Sequence, residues 1–375
     1  MKINSQFLSN IDWILVAALI PLLFFGLITM SSFNGANYLA TKQLMWIAVS
    51  LCVFFGFSTL DWRFLKRSDI LVGLFLIVCS LLTFLFLVRS IKGARSWYDL
   101  GTISLQPADF TKLILILILA KYFSRRHIEI AHVRHIFISG VYAIIPFTLI
   151  LLQPALGSAI IIFLIWLGMV IVSGVSKKHL AVVFLTGVIT LIFLWGNVFK
   201  PYQKQRILNF IDPVADTKGG GYNALQSQIA IGSGQIFGKG IGYGTQSRLQ
   251  FLPEYQTDFI FAAFAEEWGF VGVFLMLICF TVVIFRILYI SFTGAGNFEA
   301  LFGLGLAIFI MSHIVINVGM NLGLLPVTGI TLPFVSYGGS HLMTEFAGLG
   351  ILMGMRRYSR ATHRDNMKNE FFGPV

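Results

Sequence analysis

Apolar segments long enough to cross a lipid bilayer recur along nearly the whole chain, and they restrict the fold more than any other feature. A transmembrane helix needs roughly 20 apolar residues, and about ten such segments are present. They span approximately residues 11–32, 43–60, 69–88, 107–123, 136–153, 157–174, 180–199, 258–288, 300–322 and 334–355. Hydrocarbon offers no water to pair backbone groups, so each segment is predicted to be a helix. We expect an all-α, polytopic integral membrane protein with a single transmembrane domain over residues 1–375.

The composition excludes a water-soluble domain, because 57% of the residues are hydrophobic and only 11% are charged. The net charge of +11 does not indicate a nucleic-acid-binding protein, since the cations form short clusters between apolar segments. Basic clusters mark cytoplasmic connections, and alternate connections carry them here. We therefore predict that both termini are cytoplasmic, with a cytoplasmic tail at about residues 356–375. The clusters are Arg63, Lys66 and Arg67; Arg125, Arg126 and Arg134; Lys177 and Lys178; and Arg356, Arg357, Arg360 and Arg364.

This topology places three connections outside the cytoplasm, namely residues 89–106, 200–257 and 323–333. The second, between predicted helices 7 and 8, is far longer than an ordinary connection, which indicates a functional loop. Its glycine-rich run 238–244 lacks the Gly-Lys-Ser/Thr ending of a phosphate-binding loop, and no strand–helix unit surrounds it. No His/Cys spacing typical of a metal site is present either, so we assign no metal ligands.

Asp258 is the carboxylate best placed to act as a base. It lies where the long loop meets the bilayer, at the start of an otherwise apolar helix. A partly dehydrated carboxylate there could accept a proton from a sugar hydroxyl near neutral pH. The alternative is structural: a carboxylate that caps the helix or complements the dipole of its first turn.

Asp109 and Lys112 share one face of the first turn of another predicted helix, which begins at Pro107. Two readings of the lysine stay open: a local ion pair with Asp109, and a site for an anionic head group. Farther along the chain, Glu266 and Glu267 follow Asp258 by about 12 Å of helix rise, too far to share one reaction centre.

His313, Asn317 and Asn321 are spaced four residues apart, on one helical face. We expect this polar stripe to pair with Glu266 and Glu267 across neighbouring helices.

Several motifs resemble the SEDS family of RodA, FtsW and SpoVE. They are Leu252-Pro253-Glu254 with Thr257-Asp258-Phe259, Ala265-Glu266-Glu267-x-Gly269, the run Gly323 to Ile330, Leu332 to Ser340, Gly93-Ala94-Arg95-x-Trp97, Leu105-Gln106-Pro107, Gln153-Pro154-x-Leu156-Gly157 and Gln205-Arg206-Ile207. The resemblance covers essentially the full chain. The Tyr202 to Ile207 segment and the short tail are more similar to the elongation member, RodA, than to the division member, FtsW.

The resemblance implies a processive peptidoglycan glycosyltransferase of the bacterial cytoplasmic membrane, acting in cell-wall elongation and cell-shape maintenance. The implied substrate is lipid II, and the implied partners are a class B penicillin-binding protein and other membrane proteins of the elongation complex. Asp258 matches the essential acidic residue of the family. The implied substrate-binding residues are Arg95, Lys112, Asp109, Arg206, Glu254, Ser336 and Ser340.

The sequence departs from the family pattern at several positions. Asp109 stands where the family usually has Glu, and Ala155, Gln250 and Gln256 stand where it usually has Asp, an acidic residue and often His. The roles of the Ala155 and Gln250 positions therefore do not carry over. His341 and Glu345 are polar where small or apolar residues are expected, and the sequence offers no explanation for them.

These residues suggest that Asp258 removes the proton from the 4-hydroxyl of the acceptor sugar, which then displaces undecaprenyl diphosphate from the donor with inversion. A diphosphate leaves as a stabilised anion where cations meet its charge, and Lys112, Arg95 and Arg206 are the candidates. A divalent cation, Mg²⁺ or Mn²⁺, could share this work. Three alternatives stay open: a lipid II flippase, a division-type polymerase, and a non-catalytic scaffold.

Overall fold

A computed structural model describes residues 11–32, 37–88, 96–99, 101, 104–125, 133–174, 177–197, 199–216, 219–294 and 296–372. The described part of the chain is mostly helical, and every apolar segment predicted to be a helix coincides with one. The helices are α1 Trp13–Ser31, α2 Asn37–Thr59, α3 Ser68–Phe84, α4 Pro107–Ser124, α5 Val133–Leu152, α6 Leu156–Val172, α7 Lys177–Asn197, α8 Pro201–Ile211, α9 Gly220–Gly234, α10 Thr245–Arg248, α11 Ile260–Phe292, α12 Asn297–Asn321 and α13 Gly339–Phe372. Two short strands, β1 Tyr98–Asp99 and β2 Ser104–Leu105, pair antiparallel.

Six helices within the described ranges are long and apolar enough to cross a membrane: α1, α2 from Tyr38, α3 extended to Leu87, α5 from Arg134, α11 and α12. The sequence predicts about ten spans, and the other four predicted segments coincide with α4, α6, α7 and α13. Of these, α6 is a shorter apolar helix. Many large apolar side chains are exposed, as expected where a helix faces lipid, and Phe137 and Phe184 are about three-quarters exposed. The chain is a multi-pass membrane protein.

Ion pairs of Asp12 show which helix ends lie together on one face of the helix bundle. Asp12, just before α1, accepts hydrogen bonds from Arg286 (Nε, 3.1 Å) near the end of α11 and from Arg356 (Nη1, 2.9 Å) in α13. Burial acts to raise the pKa of Asp12, but the arginines and the Leu15 N–H outweigh it and the pKa lies below its ordinary value. The start of α1, the end of α11 and the middle of α13 therefore lie on the same face.

The opposite face carries the stretch between α7 and α11. This stretch, residues 200–257, was predicted as a polar loop, yet the structure folds much of it into α8, α9, α10 and a 3-10 turn at Pro213–Asp216. Ser227 of α9 donates from its Oγ to the Asn321 carbonyl at the end of α12 (2.9 Å). The helical loop is thereby attached to the ends of the bundle helices.

Helix α11 is broken at Gly269, which has φ 64° and ψ −166°. At the break the chain pairs with the turn after α9, because the Phe270 N–H donates to the Gln235 carbonyl (2.9 Å) and the Val271 N–H to the Ile236 carbonyl (3.1 Å). Residues 260–267 form a separate buried piece. The predicted span 258–288 coincides with α11. The helix is not continuous, however, because glycine permits a backbone conformation that other residues avoid.

We expect Gly269→Ala to destabilise the protein. A Cβ at this position would lie 2.6 Å from the Ile236 carbonyl oxygen and collide with the Gly238 backbone nitrogen, in a conformation that alanine disfavours. Strain alone costs roughly 1–3 kcal/mol, and the collision adds to it. Thermal unfolding in detergent measures the effect. Gly73→Ala, where a Cβ meets nothing within 4 Å, is the matched control, and equal unfolding temperatures for the two variants would contradict the prediction.

Candidate functional site

Asp258 lies in a turn directly before α11, on the face that carries the helical loop. The turn is closed by the N–H groups of Thr257 and Phe259, which both donate to the Glu254 carbonyl (3.1 and 3.3 Å). Glu254 itself has a positive φ of 50° and an exposed side chain. The N-cap of α11 is Phe259 and its first turn contains no acidic residue, so Asp258 takes neither of the two positions that the structural alternative named. Asp258 is half-buried. Its carboxylate Oδ2 faces Gly329 and lies 3.4 Å from the position that a Cβ on Gly329 would occupy.

Two asparagines of α12 hold the main chain of Asp258. Asn317 and Asn321 are fully buried, and each donates from Nδ2 to the Asp258 carbonyl oxygen at 3.0 Å. Asn317 also donates to the Ile330 carbonyl (2.6 Å). The polar stripe of α12 therefore fixes the backbone of Asp258 and leaves its side chain to other contacts.

Residues 331–338 hold the chain just before Asp258. Ser336 Oγ donates to the Thr257 carbonyl (2.6 Å) and accepts from the Leu332 N–H (2.8 Å), and the Tyr337 N–H donates to the Gln256 carbonyl (2.8 Å). Sequence patterning predicted a helix from residue 334, but α13 begins at Gly339. The intervening residues form a turn because Phe334 takes a φ of +61° and Ser336 is committed to these contacts.

Asp109 and Lys112 form a buried ion pair, with Lys112 Nζ 2.9 Å from Asp109 Oδ1 and both side chains at most 3% exposed. Lys112 Nζ also contacts His313 Nε2 at 3.3 Å, and Ser340 Oγ donates to Asp109 Oδ2 at 3.1 Å. Of the two readings of the lysine, the structure shows the ion pair. His313, which contacts this pair, and Asn317, which contacts the Asp258 carbonyl, are one turn apart on α12, about 6 Å along its axis.

His341 and Glu345, which the sequence left unexplained, extend this ion pair. His341 lies between two carboxylates, with Nδ1 3.5 Å from Asp109 Oδ1 and Nε2 2.9 Å from Glu345 Oε1, and its ring stacks on His313 at 4.4 Å. Glu345 Oε2 accepts from the Phe334 N–H (3.1 Å) in the turn that holds Asp258. The signal in the sequence for this contact was the pair itself, two polar residues four positions apart in an otherwise apolar helix.

The His341–Glu345 pair leads to a stability prediction. Glu345→Leu leaves His341 and the Phe334 N–H without this buried partner, and removing one member of a buried pair costs about 3–5 kcal/mol. Adding His341→Ala removes the side chain that lost its partner, and apolar replacement of a whole buried pair is often neutral. Thermal unfolding of the two single variants and the double variant measures the coupling. Additive losses in the double variant would show that the two residues act independently.

Glu266 and Glu267 pair with the glycine-rich loop and not, as predicted, with the stripe of α12. Glu266 Oε1 accepts from Lys239 Nζ (2.8 Å) and the Gln246 N–H (3.0 Å), and Glu267 Oε1 accepts from the Gly242 N–H (2.8 Å). The prediction treated α11 as one straight helix. The break at Gly269 instead lets the loop cover these carboxylates, so they anchor the loop.

Arg206, another predicted substrate-binding residue, lies outside the cluster formed by Asp109, Lys112, His341 and Glu345. Arg206 of α8 is half-buried, and its Nη1 donates to the Thr328 carbonyl at 3.1 Å, next to Gly329 and therefore near Asp258. Arg95 lies outside the described residues. Within the described part of the chain, no group of three or more His, Cys, Asp or Glu side chains could hold a metal ion.

The fold and the site together define a multi-pass helical membrane protein whose candidate base lies at the end of the bundle that carries the helical loop. The sequence profile of the FtsW/RodA/SpoVE family, described as "Cell cycle protein", matches residues 9–361. The chain belongs to this family.

Individual relatives match over most of their length. Stage V sporulation protein E of Bacillus subtilis is 35% identical over 363 residues, covering 93% of this chain and 98% of the relative. Peptidoglycan glycosyltransferase MrdB of Escherichia coli K12 is 38% identical over 273 residues, covering 73% and 72%.

Solved structures share the fold. The chain in a structure titled "Structural coordination of polymerization and crosslinking by a peptidoglycan synthase complex" superimposes with a TM-score of 0.79 at 31% identity, covering 93% of this chain and 98% of that one. The rod shape determining protein RodA of Thermus thermophilus gives 0.70 at 29% identity, covering 93% and 97%.

Proposed function

We propose that this protein is a peptidoglycan glycosyltransferase that polymerises lipid II into glycan strands during cell-wall elongation. The observation that carries the proposal is the anchoring of Asp258. Its main-chain carbonyl and those of the two preceding residues are each held by donors from α12 or from residues 336–337. A carboxylate on such a fixed backbone is positioned in advance for proton transfer.

In the proposed reaction, Asp258 accepts the proton of the acceptor sugar's 4-hydroxyl. The oxygen attacks the anomeric carbon of the donor, the bond to the lipid diphosphate breaks, and the diphosphate leaves with the electron pair. A single carboxylate suffices because diphosphate leaves as a stabilised, weakly basic anion, whereas glycosidases must protonate a strongly basic alkoxide.

Positive charge is needed where the diphosphate leaves. Among the cations proposed for this task, Lys112 is neutralised by Asp109 and Arg206 is directed at a backbone carbonyl. We therefore assign to Arg95 the main role in meeting the charge of the diphosphate. The Asp109–Lys112 pair is proposed to contribute through the orientation that Asp109 gives to Lys112. Ser340, which donates to Asp109, and Ser336 and Glu254, which shape the Asp258 turn, are proposed to support the substrate site from behind.

The finer membrane topology is also a proposal. We propose ten spans in one domain over residues 1–375, with both termini in the cytoplasm. The face that contains Asp12 also carries Arg63, Lys66, Arg356 and Arg357, and positive charge favours the cytoplasmic side. Asp258 and the helical loop then face outward from the bacterial cytoplasmic membrane, toward a class B penicillin-binding protein and other elongation proteins.

A flippase that carries lipid II outward is the competing function, because buried charges such as the Asp109–Lys112 pair also mark transport routes. The test uses vesicles that contain the purified chain, its transpeptidase partner and fluorescent lipid II. Polymerisation predicts glycan strands from lipid II supplied on the outward side, with no dependence on transfer between leaflets. Leaflet transfer without strand formation would support the flippase and overturn the proposal.

A further inference from the structure

A pocket of about 130 Å³ lies among α8, α9 and the chain that follows α12. Arg206, Asn209 and Phe210 of α8, Asn223 and Gln228 of α9, and Val327 line it. Four of these six side chains end in amides or a guanidinium, and Phe210 adds an aromatic ring. Pro213, Ala224, Leu325 and Pro326 also line it. The pocket therefore combines hydrogen-bonding side chains with a larger apolar lining.

The pocket adjoins the candidate base. Val327 lines it, Thr328 accepts the hydrogen bond of Arg206, and Gly329 faces the Asp258 carboxylate. Consecutive Cα atoms are 3.8 Å apart, so Val327 and Gly329 are separated by at most about 7.6 Å. This spacing is comparable to the length of one pyranose ring.

Two glycines leave room for the amide groups of the pocket. A Cβ on Gly220 would lie 2.8 Å from Asn209 Nδ2, and one on Gly323 would collide with the Gln228 amide nitrogen. Gly323 also has a positive φ of 72°. Bare backbone at these positions lets both amides lie against the pocket wall.

The charge around the pocket favours a neutral ligand. Arg206 is the one cation among the described residues that line it. Asn209, another lining residue, donates from Nδ2 to Asp216 Oδ2 at 2.8 Å, which brings a carboxylate beside the pocket. An anionic group would meet that carboxylate, whereas sugar hydroxyl and acetamido groups can both donate to and accept from amides. Phe210 offers a flat face to the C–H groups of a sugar ring.

We propose that this pocket binds a neutral N-acetylated sugar ring of the glycan, adjoining the donor ring whose anomeric carbon is attacked. The inference rests on the proposed function for the identity of the sugar. The pocket holds the glycan by a neighbouring ring while the reacting hydroxyl is positioned at Asp258. It therefore determines how many sugars are added before the strand dissociates.

Binding without catalysis is the first test. The probe is a short β-1,4-linked N-acetylglucosamine oligomer, titrated by calorimetry into the Asp258→Asn protein in complex with its transpeptidase partner. Asn223→Ala combined with Gln228→Ala is expected to weaken binding about tenfold, the loss of roughly one good hydrogen bond. Ile211→Ala, adjacent to Phe210 but outside the pocket lining and exposed, is the matched control and is expected to bind as the parent does.

Strand length is the second test, made in the protein that retains Asp258. The pocket variants and Phe210→Ala are expected to make shorter strands than the parent, whereas Ile211→Ala is expected to make strands of the parent length. Equal oligomer binding in parent and pocket variants, or displacement of the oligomer by inorganic diphosphate, would overturn the proposal. The titration needs no turnover, so it separates the two proposals. If the protein that retains Asp258 binds the oligomer but makes no glycan, the proposed function is refuted and the pocket proposal stands.

Discussion

Asp258→Asn is expected to lower the rate of glycan polymerisation by about 10²–10⁴-fold, the usual contribution of a general base. Asparagine has nearly the same shape but cannot accept the proton of the sugar hydroxyl. The contacts of Asn317 and Asn321 go to the main-chain carbonyl at this position, which the substitution keeps. The folded structure and the membrane level are therefore expected to stay unchanged. The initial rate with labelled lipid II, measured in the purified complex, gives the result.

A carboxylate far from the site provides the control for this variant. Asp61 is exposed, pairs with Arg63, and lies at the end of α2 on the face that contains Asp12. Asp61→Asn makes the same chemical change and is expected to polymerise at the parent rate. Normal polymerisation by Asp258→Asn would mean that another residue is the base. A parallel loss in both variants would indicate a general effect of removing acidic charge.

Lys112→Met is expected to have the largest effect on stability. Methionine keeps much of the side-chain volume but removes the charge that lies 2.9 Å from Asp109 Oδ1 in a buried environment. Breaking a buried ion pair by removing one partner costs roughly 3–5 kcal/mol. We expect a lower unfolding temperature in detergent and a lower membrane level. Arg63→Ala, which breaks an exposed pair, is expected to change neither.

A companion variant separates the structural role of Lys112 from a role in the reaction. Combining Lys112→Met with Asp109→Leu removes both charges and is expected to recover most of the stability. Polymerisation is expected to stay low, because the proposal gives this pair a part in substrate use. A stable double variant that polymerised at the parent rate would show that the pair serves the fold alone.

The sequence predicted the helical parts of the molecule well, for a physical reason. A chain in hydrocarbon must satisfy its backbone groups within each segment, so apolar length translates directly into helices. The even spacing of His313, Asn317 and Asn321 likewise predicted a shared face. Asp258 stood out because it joins a polar loop to an apolar helix, and the structure indeed places it in that turn.

Partners remote in the sequence could not be predicted. The asparagine stripe was assigned to Glu266 and Glu267 because an unbroken α11 was assumed, and the turn at Gly269 changes which groups meet. His341 and Glu345 had no explanation until α4 and α13 were seen to bring Asp109 beside them. The helices within residues 200–257 were also missed, since their short amphipathic segments lack the long apolar runs that mark a span.

The central claim is that each sugar addition transfers a glycosyl group from lipid diphosphate with Asp258 as the base. The most direct measurement counts undecaprenyl diphosphate released and disaccharides polymerised in the same reaction, with the purified chain and its transpeptidase partner. We predict one diphosphate released for each disaccharide added by the parent, and neither product from Asp258→Asn above background. Strand growth by Asp258→Asn at the parent rate, or no diphosphate release by the parent, would contradict the account.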